Sequence, residues 1–392
     1  MACAISVRPA TMRIAVDIRS LAEPRPGGVT VYARQLLARL IPQDRDSSYV
    51  LFGNSWKKQE LDLRGQNVIR AQGRWPNKLM NASLASLAWP SVERWTGKID
   101  VLFMPNLNFV QFSKKTPLVL TIHDLSFELF PELLSRKRRL WHQLVGPRKL
   151  VQRASRIIAV SESTRRDIIE LFNYPKDRVH TVYSGADHLA DDKGVSEAFL
   201  RKEFSLERPY VLSLSFLEPR KNIITVLEAF DMAVTRYALP HDLVLAGSPS
   251  WDHPRLESVL RRLRHSDRIR CIGYVSEQKK ASLLKAASAF IYPSLYEGFG
   301  FPPLESLRVG TPVIASIAPS LPEVLRNSSL LVAPDTVSDL TEAIRSILLD
   351  ADVRRAALLE AQDTLDRYRW DDTARRTKEI IHEAALEHAY RN

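Results

Sequence analysis

The sequence predicts an α/β protein with two doubly wound parallel sheets in tandem, and three observations predict it. Its 392 residues exceed what one hydrophobic core commonly holds, so two domains of roughly 150–200 residues is the natural division. Short β-branched runs alternate with longer amphipathic stretches along the chain. That alternation breaks once, after Tyr183, and then restarts. With 45% hydrophobic and 26% charged residues, the composition is that of an ordinary globular protein.

In the first half the strand candidates are Arg13–Asp17, Tyr49–Gly53, Asn67–Arg70, Val101–Met104, Leu118–His123, Arg156–Val160 and Val179–Tyr183. Most are near-continuous apolar runs without in/out alternation, as strands buried on both faces should be. Amphipathic segments at Thr30–Leu40, Glu132–Ala154 and Thr164–Phe172 lie between them, and Ser161 to Thr164 supplies an N-cap where the last begins. Past Tyr183 a polar stretch with two glycines and no periodicity reads as the domain linker. Strands then resume at Tyr210–Phe216, Leu243–Ala246, Ile269–Gly273, Ala289–Tyr292, Val313–Ser316 and Leu330–Val332. Helices are expected at Ile223–Tyr237, Arg255–Arg264, Ser276–Ala286, Leu304–Val309 and Ser338–Leu349. The division is therefore an amino-terminal domain over 1–188 (with 1–11 a loose extension), a linker over 189–207, a carboxy-terminal domain over 208–370, and a terminal helix over 371–392 that packs across the domains.

Charge divides the chain at the same place. Residues 1–190 carry 29 Lys and Arg against 16 Asp and Glu, a surplus of 13, while the rest carries 27 against 29. Two cysteines, Cys3 and Cys271, exclude a disulfide framework and a structural zinc site; Cys271, in an apolar run, reads as a buried strand residue. No apolar run approaches the ~18–20 residues that span a bilayer, and Arg8 and Pro9 interrupt any secretory h-region. A cytoplasmic protein, peripheral at most to the inner face of the plasma membrane, is expected.

Ligands of doubly wound sheets bind at the carboxyl ends of strands, so the strand-to-helix junctions are where chemistry is sought. The run Ser294 to Ser306 is the densest. Gly298 and Gly300 permit close backbone approach, and free amides at a helix start favour an anion. Glu297 and Glu305, eight residues apart, suit sugar or ribose hydroxyls rather than phosphate, although Glu305 could equally complement the helix dipole. At Leu217 to Asn222, Arg220 and Lys221 are placed either to clamp a pyrophosphate or to stand as a solvated pair. Gly27 and Gly28 follow the first strand. His123 and Asp124 end the strand from Leu118.

Together these pieces resemble a known family. Glu297-Gly298-Phe299-Gly300-Phe301-Pro302-Pro303-Leu304-Glu305 matches the E-x7-E motif of retaining, nucleotide-sugar-dependent glycosyltransferases of family four, also called group 1 glycosyl transferases. Val309 to Ser316 and Leu321 to Val324 resemble that family's next stretches, in order. Leu217–Asn222 resembles the phosphate segment of its bacterial mannosyltransferase-like branch; Thr121 to Asp124 and Val160 to Thr164 resemble its acceptor domain. The resemblance runs from about Met12 to Trp370. It implies a GT-B fold, two Rossmann-like domains facing across a cleft.

The resemblance also implies roles. Glu297 would sit by the donor sugar and Glu305 by the ribose, with the amides of Phe299, Gly300 and Phe301 on sugar hydroxyls and phosphate. Lys221 would bind the pyrophosphate, beside Asn222. Gly27 and Gly28 would form the amino-domain lip, His123 would approach the reacting carbon, and the base would fall near Gly273, Tyr274 and Val275. Many relatives carry a Gly-Arg pair at the end of the first carboxy-domain strand; here Ser215 and Phe216 stand there, so Arg220 is the expected substitute. The expected catalytic set is Glu297, His123, Lys221 and Arg220, with no cofactor and no metal, since Asp44-Arg45-Asp46 and similar matches fall on polar loops.

The expected activity moves a hexose, mannose favoured, from a nucleotide-diphosphate sugar (GDP-mannose favoured; UDP- or dTDP-sugar as alternatives) to a glycan or lipid-linked oligosaccharide with retained anomeric configuration, in polysaccharide or O-antigen assembly. The basic amino-terminal half should then meet the acceptor. Its cluster Arg136, Lys137, Arg138 and Arg139 with Trp141 reads as an anionic-membrane or acceptor patch, or as a solvated helix face. A nucleic-acid-directed glucosyltransferase would want aromatics interleaved with the cations, and Trp141 is alone; no nucleic acid partner is expected. A non-catalytic sugar-nucleotide-binding protein is the other alternative, against which the intact Glu297, Glu305 and Lys221 stand.

Overall fold

Strands β1 (Arg13–Asp17), β2 (Ser48–Asn54), β3 (Val68–Gly73), β4 (Val101–Met104), β5 (Leu118–Ile122), β6 (Arg156–Ala159) and β7 (Val179–Thr181) form one sheet in the computed structural model of the protein, in the order β3-β2-β1-β4-β5-β6-β7. Strands β8 (Tyr210–Leu214), β9 (Asp242–Ala246), β10 (Ile269–Gly273), β11 (Ala289–Tyr292), β12 (Val313–Ser316) and β13 (Leu330–Val332) form a second, ordered β10-β9-β8-β11-β12-β13. The structure describes residues 11–23, 27–54, 63, 65–189 and 194–391. Residues 1–10 of the expected extension, Cys3 among them, Pro26, and residues 190–193 of the expected linker lie outside the described residues.

Every strand pairing is parallel, and the helices that return the chain cover both faces. Successive residues of one strand therefore enter different cores. Ile14 and Val16 join one cluster and Ala15 another; Tyr210 and Leu212 join the first, Val211 a third. That is why the runs lack alternation: neither face meets water. Strand order reverses between β1 and β4 in the first sheet and between β8 and β11 in the second. These two switch points open crevices at the carboxyl ends of the strands, where ligands bind in such sheets. The fold is GT-B.

Three expectations are corrected. The long helix over Glu132–Ala154 is interrupted: Arg136–Val145 and Pro147–Arg153 are separate helices hinged at Gly146, whose φ is +65°. The Gly-Pro dipeptide imposes the break, because the left-handed conformation suits glycine and Pro147 suits only a helix start. The expected linker contains a helix, Glu197–Phe204, capped by Ser196 and anchored by the buried Leu200. Cys271 is exposed, because β10 is the edge of its sheet.

The carboxy-terminal helix, Trp370–Arg391, packs against the helix Gly28–Gln43 and strands β4, β5 and β6 of the first sheet, while Trp370 at its start stacks on Phe301 of the second domain with ring centroids 6.0 Å apart. Asp44 accepts from His382 at 2.8 Å, and Arg156 meets Glu387 at 2.5 Å. Trp370 is fully buried at the crossing point, where a Cβ on Gly185 would lie 2.4 Å from its backbone nitrogen. Only glycine lets the two chain crossings touch.

Candidate functional site

The second sheet's switch point is flanked by the loops after β8 and β11, and these carry the residues singled out in the sequence. After β8 the chain makes a short turn at Pro219–Lys221 and then, with Asn222 at φ +57°, enters the helix Ile223–Tyr237. After β11 it passes through Glu297 to Gly300 into the helix Phe301–Arg308. Gly300 has φ +90°, a conformation that costs a side-chain-bearing residue heavily.

The two loops meet through Glu297. Its carboxylate accepts from Lys221 Nζ and, at 3.1 Å, from Arg220. Lys221 also donates to the Tyr292 hydroxyl at 2.6 Å, and Arg220 to the Tyr296 carbonyl at 2.9 Å. Burial alone would push the Glu297 carboxyl up, but Arg220 and Lys221 outweigh it and hold it at about 2. Arg220 reaches Glu218 at 3.1 Å and Asp124, across the cleft, at 3.9 Å. Its guanidinium lies in the crevice, while Phe216 is half-exposed.

Glu305 forms a second buried cluster one helical turn on. Its Oε1 accepts from Lys280 Nζ at 2.7 Å and from His188 Nε2 at 2.9 Å. The Trp370 indole, which can only donate, reaches His188 Nδ1 at 3.3 Å, so Nε2 carries the hydrogen that Glu305 accepts. Its Oε2 is buried with no partner among the described residues. Burial would raise this carboxyl too; Lys280 and then His188 bring it down to about 2. Lys280 Nζ also stands 2.7 Å from Glu277. His188, Glu277 and Glu305 bring ligand-type atoms within 4.8 Å of one another, and the lysine ammonium among them already supplies the positive charge.

A pH dependence follows with a definite sign. Both carboxyls sit at about 2 in the fold against 4.5 unperturbed. A depressed folded value means that their stabilisation is complete above about pH 4.5 and is lost as pH falls toward about 2. Glu305→Gln is expected to flatten that acid limb in urea melts taken through this window; an unchanged limb would show that Glu305 does not contribute to it.

The amino-terminal sheet supplies the opposite wall. His123 follows β5; its Nε2 meets the Pro105 carbonyl at 2.8 Å and its ring packs edge-on against Tyr32. Burial pulls its pKa below the usual histidine value, so Nδ1 is available to a ligand as an acceptor. Gly27 caps the helix Gly28–Gln43, and a Cβ on Gly28 would lie 3.4 Å from the Phe301 ring, which puts this helix start beside the Gly298–Gly300 loop. The two walls are joined directly. The Gly298 carbonyl accepts from Thr164 at 3.4 Å, and Tyr296 donates to Asp167 at 2.5 Å. Glu323 accepts from the amides of Glu162 and Ser163 at 2.7 and 3.0 Å and from the Tyr183 hydroxyl at 2.8 Å. A carboxylate from one domain thus caps a helix of the other.

Three sequence expectations change here. The Asn222 side chain is committed locally, accepting from Thr225 at 2.8 Å and donating to the Pro334 carbonyl, so it stabilises the turn. Trp141 does not stand on the outer basic face: it is partly buried, packs edge-on against Phe109 with centroids 5.8 Å apart, and lines a cavity. Arg138 reaches into the cleft to Glu218 at 2.9 Å. Arg136, Lys137 and Arg139 remain exposed, beside Leu140 and Leu144. Tyr274 is exposed on the loop after β10, with Val275 next to it. No local sequence pattern marks Lys280, His188 or Glu323 as site residues, because the partner of each lies over a hundred positions away or on another helix.

The family model for glycosyl transferases group 1 matches residues 196–363, and that for Glycosyltransferase Family 4 matches residues 26–188. The O-antigen chain mannosyltransferase B of Escherichia coli is 31% identical over 261 residues, covering 66% of this chain and 68% of that protein. The serotype-specific mannosyltransferase WbdA of Escherichia coli is 30% identical over 231 residues, 57% of this chain, which spans only 28% of that longer protein. Among solved structures, the sucrose-phosphate synthase of Thermosynechococcus elongatus superposes with a TM-score of 0.72 at 20% identity, covering 95% of this chain and 98% of that one. At that identity the likeness bears on the fold alone.

Proposed function

The chain belongs to the family four, group 1 glycosyltransferases, in their bacterial mannosyltransferase-like branch, and from that premise we propose that it transfers mannose from GDP-mannose to a glycan or lipid-linked oligosaccharide with retention of anomeric configuration. The observation that carries the reading is the convergence of Lys221, Arg220 and Glu297 at the second switch point, facing His123 and the Gly27–Gly28 helix start across the cleft.

In the reaction the bond between the anomeric carbon and the nucleoside diphosphate breaks. Negative charge grows on the leaving β-phosphate and positive charge on the sugar ring. Lys221 and Arg220, with the amides of Phe299, Gly300 and Phe301, stabilise the first charge by preorganised electrostatics, each donor contributing about 2.7–4 kcal/mol on the oxyanion-donor scale. In this reading no metal is needed. Glu297 holds the two cations in place and accepts from the donor sugar's hydroxyls. The free Oε2 of Glu305 accepts from a ribose hydroxyl, and backbone groups at Tyr274 and Val275 meet the base. The acceptor hydroxyl attacks from the face the phosphate leaves, and the phosphate takes its proton. A thermal-shift panel of GDP-, UDP-, dTDP- and ADP-sugars tests the donor, with the largest shift expected for GDP-mannose; a larger shift with another nucleotide would replace it. Proton NMR of the product's anomeric coupling tests retention.

Arg136, Lys137 and Arg139 beside the exposed Leu140 and Leu144 support a place at an anionic membrane surface. Among the described residues no helix is long and apolar enough to cross a membrane. Flotation with anionic vesicles is expected to carry the protein at low salt and release it at high salt; equal flotation with neutral vesicles would rule out the basic patch.

A further inference from the structure

The first sheet has a switch point of its own, and a cavity of about 370 Å³ opens there, within the ~300–1,000 Å³ of small-ligand sites. It is built from the loop after β1 (Arg19, Ser20, Glu23), the loop after β4 (Asn106 to Asn108), the end of β2 (Asn54) and the helix Asn77–Leu87 (Asn77, Asn81), with Trp141 as one wall. Five asparagines in one cavity is a specific chemistry: carboxamides both donate and accept, as hydroxyl groups do.

Their geometry leaves capacity for a ligand. Asn54 is a positioning residue, donating to the Asn77 side-chain oxygen at 2.6 Å and to the Trp75 carbonyl at 3.0 Å. That fixes Asn77 by its oxygen and leaves its amide hydrogens. Asn108 accepts from the Phe109 amide at 2.9 Å, which likewise leaves its amide group. Asn106 donates to the Leu107 carbonyl at 3.1 Å, while its own oxygen is buried without a partner among the described residues. Ser20, only 5% exposed, has in the same wall a buried hydroxyl with no partner among the described residues. Orphaned buried groups of this kind are destabilising and call for a partner.

The charge is equally informative. Despite the surplus of 13 in this half of the chain, the only Lys or Arg among the described lining residues is Arg19. It is held by both Asp17 oxygens, at 2.9 and 2.6 Å, and by the Phe109 carbonyl at 2.6 Å. The other ionisable residue among the described lining residues is Glu23, so none of those residues offers an unengaged cation to an anion.

We infer that this asparagine-lined cavity receives an uncharged sugar ring, the terminal residue of the acceptor, and selects against phosphorylated or acidic sugars. The Trp141 indole offers an apolar wall for the ring's C–H face, and the amides orient its hydroxyls. This rests on the glycosyltransferase reading above.

The test uses the full chain and two probes, methyl α-mannopyranoside and mannose 6-phosphate, in saturation-transfer NMR. The neutral sugar is expected to bind and the phosphate to give no signal. Asn106→Leu and Asn81→Leu, one in a loop and one on a helix, are each expected to weaken the neutral sugar at least tenfold and to raise the acceptor KM by a similar factor. Absence of neutral-sugar binding by the wild type, equal binding of the phosphate, or unchanged affinity in both variants would overturn the inference. Nucleotide-sugar thermal shifts on the same samples separate the two claims: with those shifts intact, failure at the cavity leaves the donor reading standing, and with no shift in the wild type it is the donor reading that fails.

Discussion

Gly298→Ala is expected to lower turnover by about 10²-fold or more while each domain stays folded. A Cβ at Gly298 would lie 1.6 Å from the His123 carbonyl oxygen and 3.0 Å from the Asp124 Cβ. The first obstacle is backbone, so no side chain can swing aside. Alanine at this position demands no left-handed backbone, since Gly298 is not among the glycines with positive φ; the penalty falls on the approach of the two domains. They must part where the donor loop meets the end of β5, and a displacement of about 1 Å in a catalytic constellation can cost roughly 10²-fold. Small-angle scattering should show a larger radius of gyration for the variant. Turnover within threefold of the wild type, about 0.65 kcal/mol in barrier, would show that the contact is not needed for catalysis.

Lys221→Ala is expected to lower turnover at least about tenfold, and as much as 10²–10³-fold if Lys221 acts as a full oxyanion donor. Its ammonium is the cation most deeply set at the second switch point, bound to Glu297 and to the Tyr292 hydroxyl. Removing it does not strand the Glu297 carboxylate, which keeps Arg220 at 3.1 Å, so the fold should survive. Because charge on the leaving phosphate is largest in the transition state, kcat should fall by more than the donor KM rises. Near-normal kcat in a protein with an unchanged circular dichroism spectrum would sink the phosphate role.

The part of the site that could be read from the chain is the part that is local in sequence. Glu297, Gly300 and Glu305 lie on one strand-loop-helix junction, and Arg220 and Lys221 on another, so strand periodicity alone places them at carboxyl ends. A local pattern misleads where it is compatible with two structures. The amphipathic run from Glu132 looked continuous because its apolar spacing survives the break at Gly146. Trp141 adjoins the basic cluster in sequence, yet a helix places residues one apart on different faces, and Trp141 turns inward while Leu140 turns out.

By itself, the sequence determined two parallel sheets, the order of their elements and the two donor-side junctions, because hydrophobic period and turn chemistry are properties of neighbouring residues. Only the tertiary structure decided that Lys280 and His188 would meet Glu305, that Glu323 would cap a helix of the other domain, and that Trp370–Arg391 would return to the first sheet. It alone gathered Asn54, Asn77, Asn81, Asn106 and Asn108 around one cavity. These groupings depend on which strands lie side by side and where their order reverses. That is settled by the packing of the whole chain, and no window of residues contains it.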